Sequence, residues 1–241
     1  LIAVSEAVRQ AIARDEKIDP ARIEVIYNGI DLESFCAQRW DLLAERAALG
    51  IAPEEMVIGC VASFNPVKCH LTLLDAFAHL LTLCPQQPLR LLLVGDGPMR
   101  PAIEARVAEL GLGDKVILNG VSRTVAREFQ LSDILVLASE TEGFSNSLVQ
   151  AMAFRKPLIA CRVGGNPEAV IDGLNGHLVE PNKPLQLAEA MARLVGDAAL
   201  REQMGLAGHA RACQEFTHRL MLDKTEELIL KVAGDRMNGH Y

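Results

Sequence analysis

The sequence predicts an α/β fold: a doubly wound, Rossmann-like parallel sheet with helices on both faces and additional helices at the C-terminus. Three observations predict it. Short apolar runs recur without polar alternation, as strands covered on both faces do. Segments between them carry apolar residues at helical spacing. The joints are short and polar or glycine-bearing, and such alternation places parallel strands between helical crossovers.

Six runs read as strands: 57–61, 89–94, 116–118, 134–137, 158–160 and 176–179. Leu73, Leu74, Phe77, Leu80 and Leu81 mark one face of a helix. Ile103, Val107 and Leu110 mark another, with Pro101 in its first turn, where a missing N–H costs nothing. Residues 1–35 differ: a polar helix near 6–16, a strand at 23–26 and an Asn28–Gly29 turn. They read as a connection from a preceding domain. Residues 36–215 form the main domain, and the pattern after Pro184 is helical at 185–195, 198–213 and 220–232. The segment 216–241 reads as a last helix with a mixed face, and a tail; Met221, Leu228, Ile229 and Val232 would be exposed unless they pack on the domain's own surface. The chain opens on the strand-like run Leu1, Ile2, Ala3, Val4 without an initiator Met, as if cut from something longer.

Half of the 241 residues are hydrophobic, enough for a sizeable core. A net charge of −7 without a basic cluster argues against nucleic acid, whose phosphates need several cations on one face. The six cysteines lack C-x-x-C spacing and read as reduced thiols in or near the core of a cytosolic protein, not as metal ligands. No apolar run reaches the roughly 20 residues of a membrane span.

In doubly wound sheets ligands sit beyond the carboxyl ends of the strands, so the following loops are where chemistry is sought. Gly95, Asp96, Gly97 and Pro98 open a helix after a strand, but Arg100 stands where a dinucleotide fingerprint needs its third glycine. The run after Leu137 is more specific. Its helix must begin near Ser145 or Asn146, where unpaired N–H groups and the positive end of the dipole form a seat for phosphate. Gly143 lets backbone pass close to a ligand. Glu142 is out of place beside a phosphate alone, but its carboxylate can accept hydroxyl hydrogen bonds from a sugar. Gln150 lies eight residues on, roughly 12 Å along a helix, so the two can hold opposite ends of an extended ligand.

Glu142…Gln150, Ala151, Met152, Ala153 resembles the E-x7-E-A-M-A motif of family 4 retaining glycosyltransferases, enzymes of GT-B fold. Four further segments follow that family's order. Tyr27, Asn28, Gly29, Ile30, Asp31 resembles its interdomain turn, and Val61, Ala62, Ser63…Lys68 its phosphate loop. Gly95 to Pro98 resembles its GxGP loop, and Gly164, Gly165, Asn166, Pro167, Glu168 its GGxPE loop.

The resemblance implies the nucleotide-sugar-binding half of a hexosyltransferase-type enzyme, with residues 1–35 the end of a preceding acceptor domain that largely holds the acceptor site, residues 216–241 returning toward that domain, and this half inactive alone. Lys68 would neutralise the diphosphate and Glu142 would bond donor-sugar hydroxyls, as the catalytic pair. The donor-binding set would be Ser63, Asn65, Gly97, Arg123, Gly143, Phe144, Ser145, Asn146, Leu148 and Gln150, with Gln150 at the ribose. Glu168 reads as an acid ordering the Gly164–Gly165 turn. No cofactor or metal is implied, and no D-x-D occurs. The acceptor would be a glycan or lipid-linked glycan, in polysaccharide biosynthesis at a cytoplasmic site with room for peripheral membrane contact through the missing half.

Two departures stand out. The family has Glu where this chain has Gln150, and often Arg where it has Ser63. Lys68 would then stand alone against a diphosphate, unless Arg123 compensates. The rival readings are a nucleotide-sugar epimerase or hydrolase on the same fold, and a non-catalytic nucleotide-sugar-binding module.

Overall fold

The computed structural model describes residues 1–237. Strand β1 (Ile2–Ala3), helix α1 (Glu6–Asp15), a 3-10 turn (Pro20–Arg22) and strand β2 (Glu24–Val25) form a small unit with its strands parallel. Ala3, Ala13 and Ile23 make its core. Helices α2 (Leu32–Ala37) and α3 (Leu42–Ala48) follow, neither of which the apolar spacing had marked. Phe35 of α2 packs on Phe129 and Phe154, at centroid distances of 6.2 and 5.2 Å, so the chain joins the main core within α2.

The main sheet holds β3 (Met56–Val61), β4 (Leu89–Val94), β5 (Val116–Gly120), β6 (Ile134–Leu137), β7 (Leu158–Cys161) and β8 (Gly176–Val179). All are parallel, in the order β5-β4-β3-β6-β7-β8. The six expected strands are all present, three of them a residue or two longer than the apolar runs. Their lack of polar alternation has a visible cause. Ile58, Leu91, Leu93, Ile134, Val136 and Ile159 enter the core on one face. Their neighbours Val57, Leu92, Leu135, Leu137, Leu158 and Ala160 enter the core on the other. Both faces are dry, so the strand positions are apolar apart from Arg90, Asn119 and His177, none of which is fully buried.

Helices α4 (His70–Leu83), α5 (Arg100–Glu109) and α9 (Pro184–Gly196) supply residues to the first core. Helices α6 (Ala126–Leu131), α7 (Asn146–Ala153) and α10 (Ala198–Glu215) supply the second. A short α8 (Asn166–Ala169) follows β7, and α11 (His218–Met237) closes the described chain. Chain order runs outward from β3 to β5, then returns to β6 on the other side of β3. The carboxyl ends of β3 and β6 therefore flank the topological switch point, where such sheets leave a crevice.

The chain returns beside its own entry. Ile30 N–H donates to Phe216 O at 3.0 Å and His218 N–H to Ile30 O at 2.9 Å. A Cβ on Gly29 would lie 2.2 Å from Thr217 O, so only glycine fits there. Of the apolar residues expected to be exposed on α11, Ile229 is 61% and Val232 41% accessible. Met221 and Leu228 are half-buried instead. The Met221 sulfur accepts from Gly29 N–H at 3.4 Å, and Leu228 shares a groove with Val25 and Ile26, which draws that face inward. No helix is long and apolar enough to cross a membrane among the described residues.

Candidate functional site

Two loops meet across the switch point. After β3 the chain runs through Ala62–Asn65 into a 3-10 turn, Pro66–Lys68, and after β6 it runs through Ala138–Ser145 into α7. Glu140 N–H donates to Val67 O at 2.9 Å, and the Ser147 hydroxyl bonds to Val61 O. The loop after β4 joins them: Phe64 N–H donates to Asp96 O and Met99 N–H to Phe64 O, both at 2.9 Å. Gly95 and Gly97 permit that contact. Their φ values are +141° and +156°, and a Cβ would lie 2.0 Å from Ala62 O or 2.7 Å from Phe64 O. Gly97 is thus a packing residue of the loop, its N–H given to Asp96 Oδ1 at 2.7 Å.

Lys68 is paired with an acid, not with a second cation. Its ammonium donates to Glu142 Oε1 at 2.5 Å, and the buried Ser139 hydroxyl donates to the same oxygen at 2.7 Å. The side chains are 21% and 9% exposed, so the pair is shielded from bulk water but reachable from the crevice. Glu142 Oε2 accepts no hydrogen bond among the described residues. One oxygen of the carboxylate is fixed and the other is free to accept from a guest. Beneath the pair lies His70, 3% exposed, edge-on to Phe64 and 3.9 Å from the Cys60 sulfur. Burial, aided by the Lys68 charge, pushes the imidazole pKa down to about 4, so it is neutral. Burial raises the Cys60 thiol to about 12.

Helix α7 starts at Asn146, as expected. Ser145 occupies its N-cap with φ −87° and ψ 110°, and its hydroxyl makes no capping bond. First-turn N–H groups therefore lack the side-chain acceptor that usually answers them. Asn146 is exposed and its Oδ1 accepts from Asn28 Nδ2 at 3.1 Å, which brings the Asn28–Gly29 turn to the mouth of the seat. Gln150 is half-exposed and has no side-chain partner among the described residues.

The side chains of Phe144 and Leu148 are not available to a ligand. Leu148 is fully buried in the core, and the Phe144 ring packs at a tilt against Tyr27 at 5.1 Å and Phe216 at 5.3 Å. Only their backbone N–H groups remain as donors. Ser63 and Asn65 are exposed and bond to each other, Asn65 Nδ2 to Ser63 Oγ at 3.0 Å. Arg123 stands beyond edge strand β5, separated from β3 by β4; it is exposed and forms no ion pair among the described residues. Nothing ties it to the Lys68–Glu142 pair.

Glu168 does something other than order its own turn. Its Oε2 accepts from Glu6 N–H at 2.7 Å and from the Tyr27 hydroxyl at 2.8 Å, and its Oε1 from Ala7 N–H at 2.9 Å. Burial first, and this carboxylate second, raise the Tyr27 pKa to about 12. Ser5, fully buried, accepts from Val8 N–H and donates to Gly143 O at 2.7 Å. The spacing of residues 1–16 marked a polar helix, and Ser5 before it is a legible cap, but its second partner lies 138 residues away. Gly164 and Gly165 pack against this strip: a Cβ would come within 1.6 Å of Glu142 O or 2.3 Å of Gly143 O.

All six cysteines are free thiols: Cys60 and Cys161 lie in the core, Cys69 and Cys84 pack against it, Cys36 is half-buried, and Cys213 alone is exposed, against the expectation of a place in or near the core. Among the described residues no group of three or more His, Cys, Asp or Glu is arranged to hold a metal.

Comparison with known proteins gives a consistent picture. Residues 43–211 match the family model "Glycosyl transferases group 1", and residues 1–34 match the model "Glycosyltransferase Family 4". The chain is 31% identical over 217 residues to the N-acetyl-alpha-D-glucosaminyl L-malate synthase of Bacillus anthracis, covering 90% of this chain and 56% of that one. It is 34% identical over 208 residues to the D-inositol 3-phosphate glycosyltransferase of Jonesia denitrificans, covering 83% and 49%. The chain thus spans about half the length of these curated relatives. Among solved structures, a glycosyltransferase of Rickettsia africae aligns with TM-score 0.87 at 25% identity, covering all of this chain and 64% of that one. HepE of Anabaena in complex with UDP-glucose aligns with TM-score 0.87 at 27% identity, covering 95% and 63%.

Proposed function

The chain belongs to the group 1 glycosyl transferases, and from that premise we propose that it is the donor-binding half of a GT-B enzyme that transfers a hexose from a nucleotide-diphosphate sugar. One observation carries the reading: Lys68 and Glu142, from loops on either side of the switch point, meet beside the start of α7, whose cap hydroxyl is unused. Within the group the resemblance of its motifs favours a family 4, configuration-retaining enzyme.

In this reading the diphosphate lies along the first turn of α7, and Lys68 turns from Glu142 toward it. The ammonium and the first-turn N–H groups then stabilise the charge that develops as the glycosidic bond to the diphosphate breaks. Glu142 keeps Ser139 on Oε1 and offers its carboxylate to sugar hydroxyls, which orients the anomeric carbon. The acceptor hydroxyl attacks from the face the diphosphate leaves and passes its proton to the departing phosphate oxygen, so configuration is retained. Gln150 takes the ribose, with donor and acceptor on one amide. The acceptor, a glycan or lipid-linked glycan, binds chiefly to the preceding half. We place the reaction on the cytoplasmic side, without a metal cofactor.

Thermal-shift titration with UDP, UDP-glucose, and GDP- and ADP-sugars tests the donor site. Ligand at about 100 times its Kd stabilises the fold by about 2.7 kcal/mol, a readable shift. No shift with any nucleotide sugar would overturn the reading. Transfer to an acceptor by the full-length protein separates a transferase from an epimerase, a hydrolase or a non-catalytic module.

A further inference from the structure

We propose that Glu168 is a positioning residue for the donor seat, acting on it through helix α1 and Ser5. The inference rests on the nucleotide-sugar reading of the crevice, and it adds a residue that no ligand need touch.

The two oxygens of Glu168 take the N–H groups of Glu6 and Ala7, the first two residues of α1. Those groups have no partner within the helix, and a carboxylate there also meets the positive end of its dipole. Tyr27 adds a third bond from the strand-to-turn segment. Three charge-assisted bonds on one carboxylate fix both the position and the direction of α1.

Fixing α1 fixes Ser5, its N-cap. A hydroxyl has one proton, and Ser5 gives it to Gly143 O at 2.7 Å while accepting from Val8 N–H at 3.1 Å. The bond holds the plane of the Gly143–Phe144 peptide. In a trans peptide the carbonyl and the N–H point in opposite directions, so a carbonyl held toward Ser5 turns the Phe144 N–H away from it. That N–H is the part of Phe144 left for a ligand, since its ring is packed in the core. Gly164 and Gly165 let the loop that carries Glu168 lie directly against Glu142 O and Gly143 O, so the strip is backed from beneath. A carboxylate on a four-residue helix after β7 thereby orients an amide before α7, through a helix that precedes the Asn28–Gly29 turn.

Deuterium uptake by the 241-residue chain, wild type against Glu168→Gln, tests the linkage without any ligand. Peptides covering 5–8 and also 140–149 are expected to exchange about fivefold faster in the variant, the factor for one net hydrogen bond. A purely local cap would release 5–8 and leave 140–149 unchanged, and that result would overturn the proposal. Should Glu168→Gln not fold, Ser5→Ala cuts the same path at its other end; it is expected to release 140–149 while Glu168 stays in place, and protection of 140–149 like that of wild type would overturn the proposal. UDP-glucose titration adds the functional arm: affinity is expected to fall about fivefold in either variant, and undiminished affinity would sink the link to donor binding. Failure of the wild type to bind any nucleotide sugar would sink the nucleotide-sugar reading, while the exchange data still decide the coupling.

Discussion

The Lys68 ammonium and the Glu142 carboxylate, 74 residues apart, meet at 2.5 Å across the switch point, and both bonds to the carboxylate fall on Oε1. The crevice is therefore charge-compensated before any ligand enters. If the crevice takes a nucleotide diphosphate, that ligand has to draw Lys68 from its partner, which leaves Glu142 an unused oxygen for a neutral, hydroxylated guest.

That relationship predicts opposite effects of two substitutions. Glu142→Gln frees the ammonium and is expected to strengthen UDP binding by about 1 kcal/mol, roughly fivefold, while abolishing any preference for UDP-glucose over UDP. Lys68→Ala is expected to weaken UDP by a similar amount or more, and to destabilise the fold by about 1–2 kcal/mol through the unpaired carboxylate. Calorimetric titration with UDP and UDP-glucose checks both. Weaker UDP binding in Glu142→Gln would contradict the charge-compensation account.

Gln150 is half-exposed on α7 with no side-chain partner among the described residues. If it meets the ribose, Gln150→Glu should gain charge-assisted bonds and tighten UDP by about 1 kcal/mol. The gain should vanish with 2′,3′-dideoxyuridine diphosphate. An equal gain with both nucleotides would move Gln150 away from the ribose.

Gly164 has φ +48°, and a Cβ there would meet Glu142 O at 1.6 Å. Gly164→Ala is expected to cost more than about 2 kcal/mol and to disturb nucleotide binding. Gly173, at φ +78° with open space around it, provides the comparison; its Ala variant should cost only about 1 kcal/mol. Urea unfolding of the two variants separates strain at the site from strain alone.

His70 links pH to stability. Its folded pKa of about 4 lies below the ordinary value of 6.5, so between those values the unfolded chain binds the proton and the folded one does not. Stability is complete above pH 6.5, falls as pH drops toward 4, and changes no further from this group below that. The loss between pH 7 and 5 is on the order of 2 kcal/mol. Unfolding free energies at the two pH values should differ by about that much more in wild type than in His70→Phe.

Cys69, at φ 50° and ψ 43°, holds a left-handed conformation at the entry to α4. Asn tolerates that region better than most residues, so Cys69→Asn is expected to stabilise the fold by about 0.5 kcal/mol without affecting UDP binding. A lower midpoint in urea would show that the bonds from the Cys69 thiol to Pro66 O at 3.6 Å and Val67 O at 3.7 Å matter more than the backbone.

The sheet was legible because its cause is local. Residues 57–61 and 134–137, and 89–94 apart from Arg90, carry no polar side chain, as two-sided burial requires, and the glycines and helix spacing around them marked the crossovers. The start of α7 was legible for the same reason: Gly143, Ser145 and Asn146 are the residues a strand-to-helix turn needs. Helices α2 and α6 were not, being six residues each, too short to show a period.

The pairings inside the crevice depended on distances along the chain that no pattern encodes. Lys68 with Glu142, Ser5 with Gly143 and Glu168 with α1 join residues 74, 138 and about 160 positions apart. Sequence alone supplied the chemical groups and the edge of the sheet where they gather. Tertiary structure decided which of them neutralise one another, because a charge or a hydroxyl proton finds its partner only after the crossovers have folded the loops together. Hence Lys68 reads as a free cation in the sequence and is half of an ion pair in the fold, and Glu168 reads as a turn residue and holds a helix.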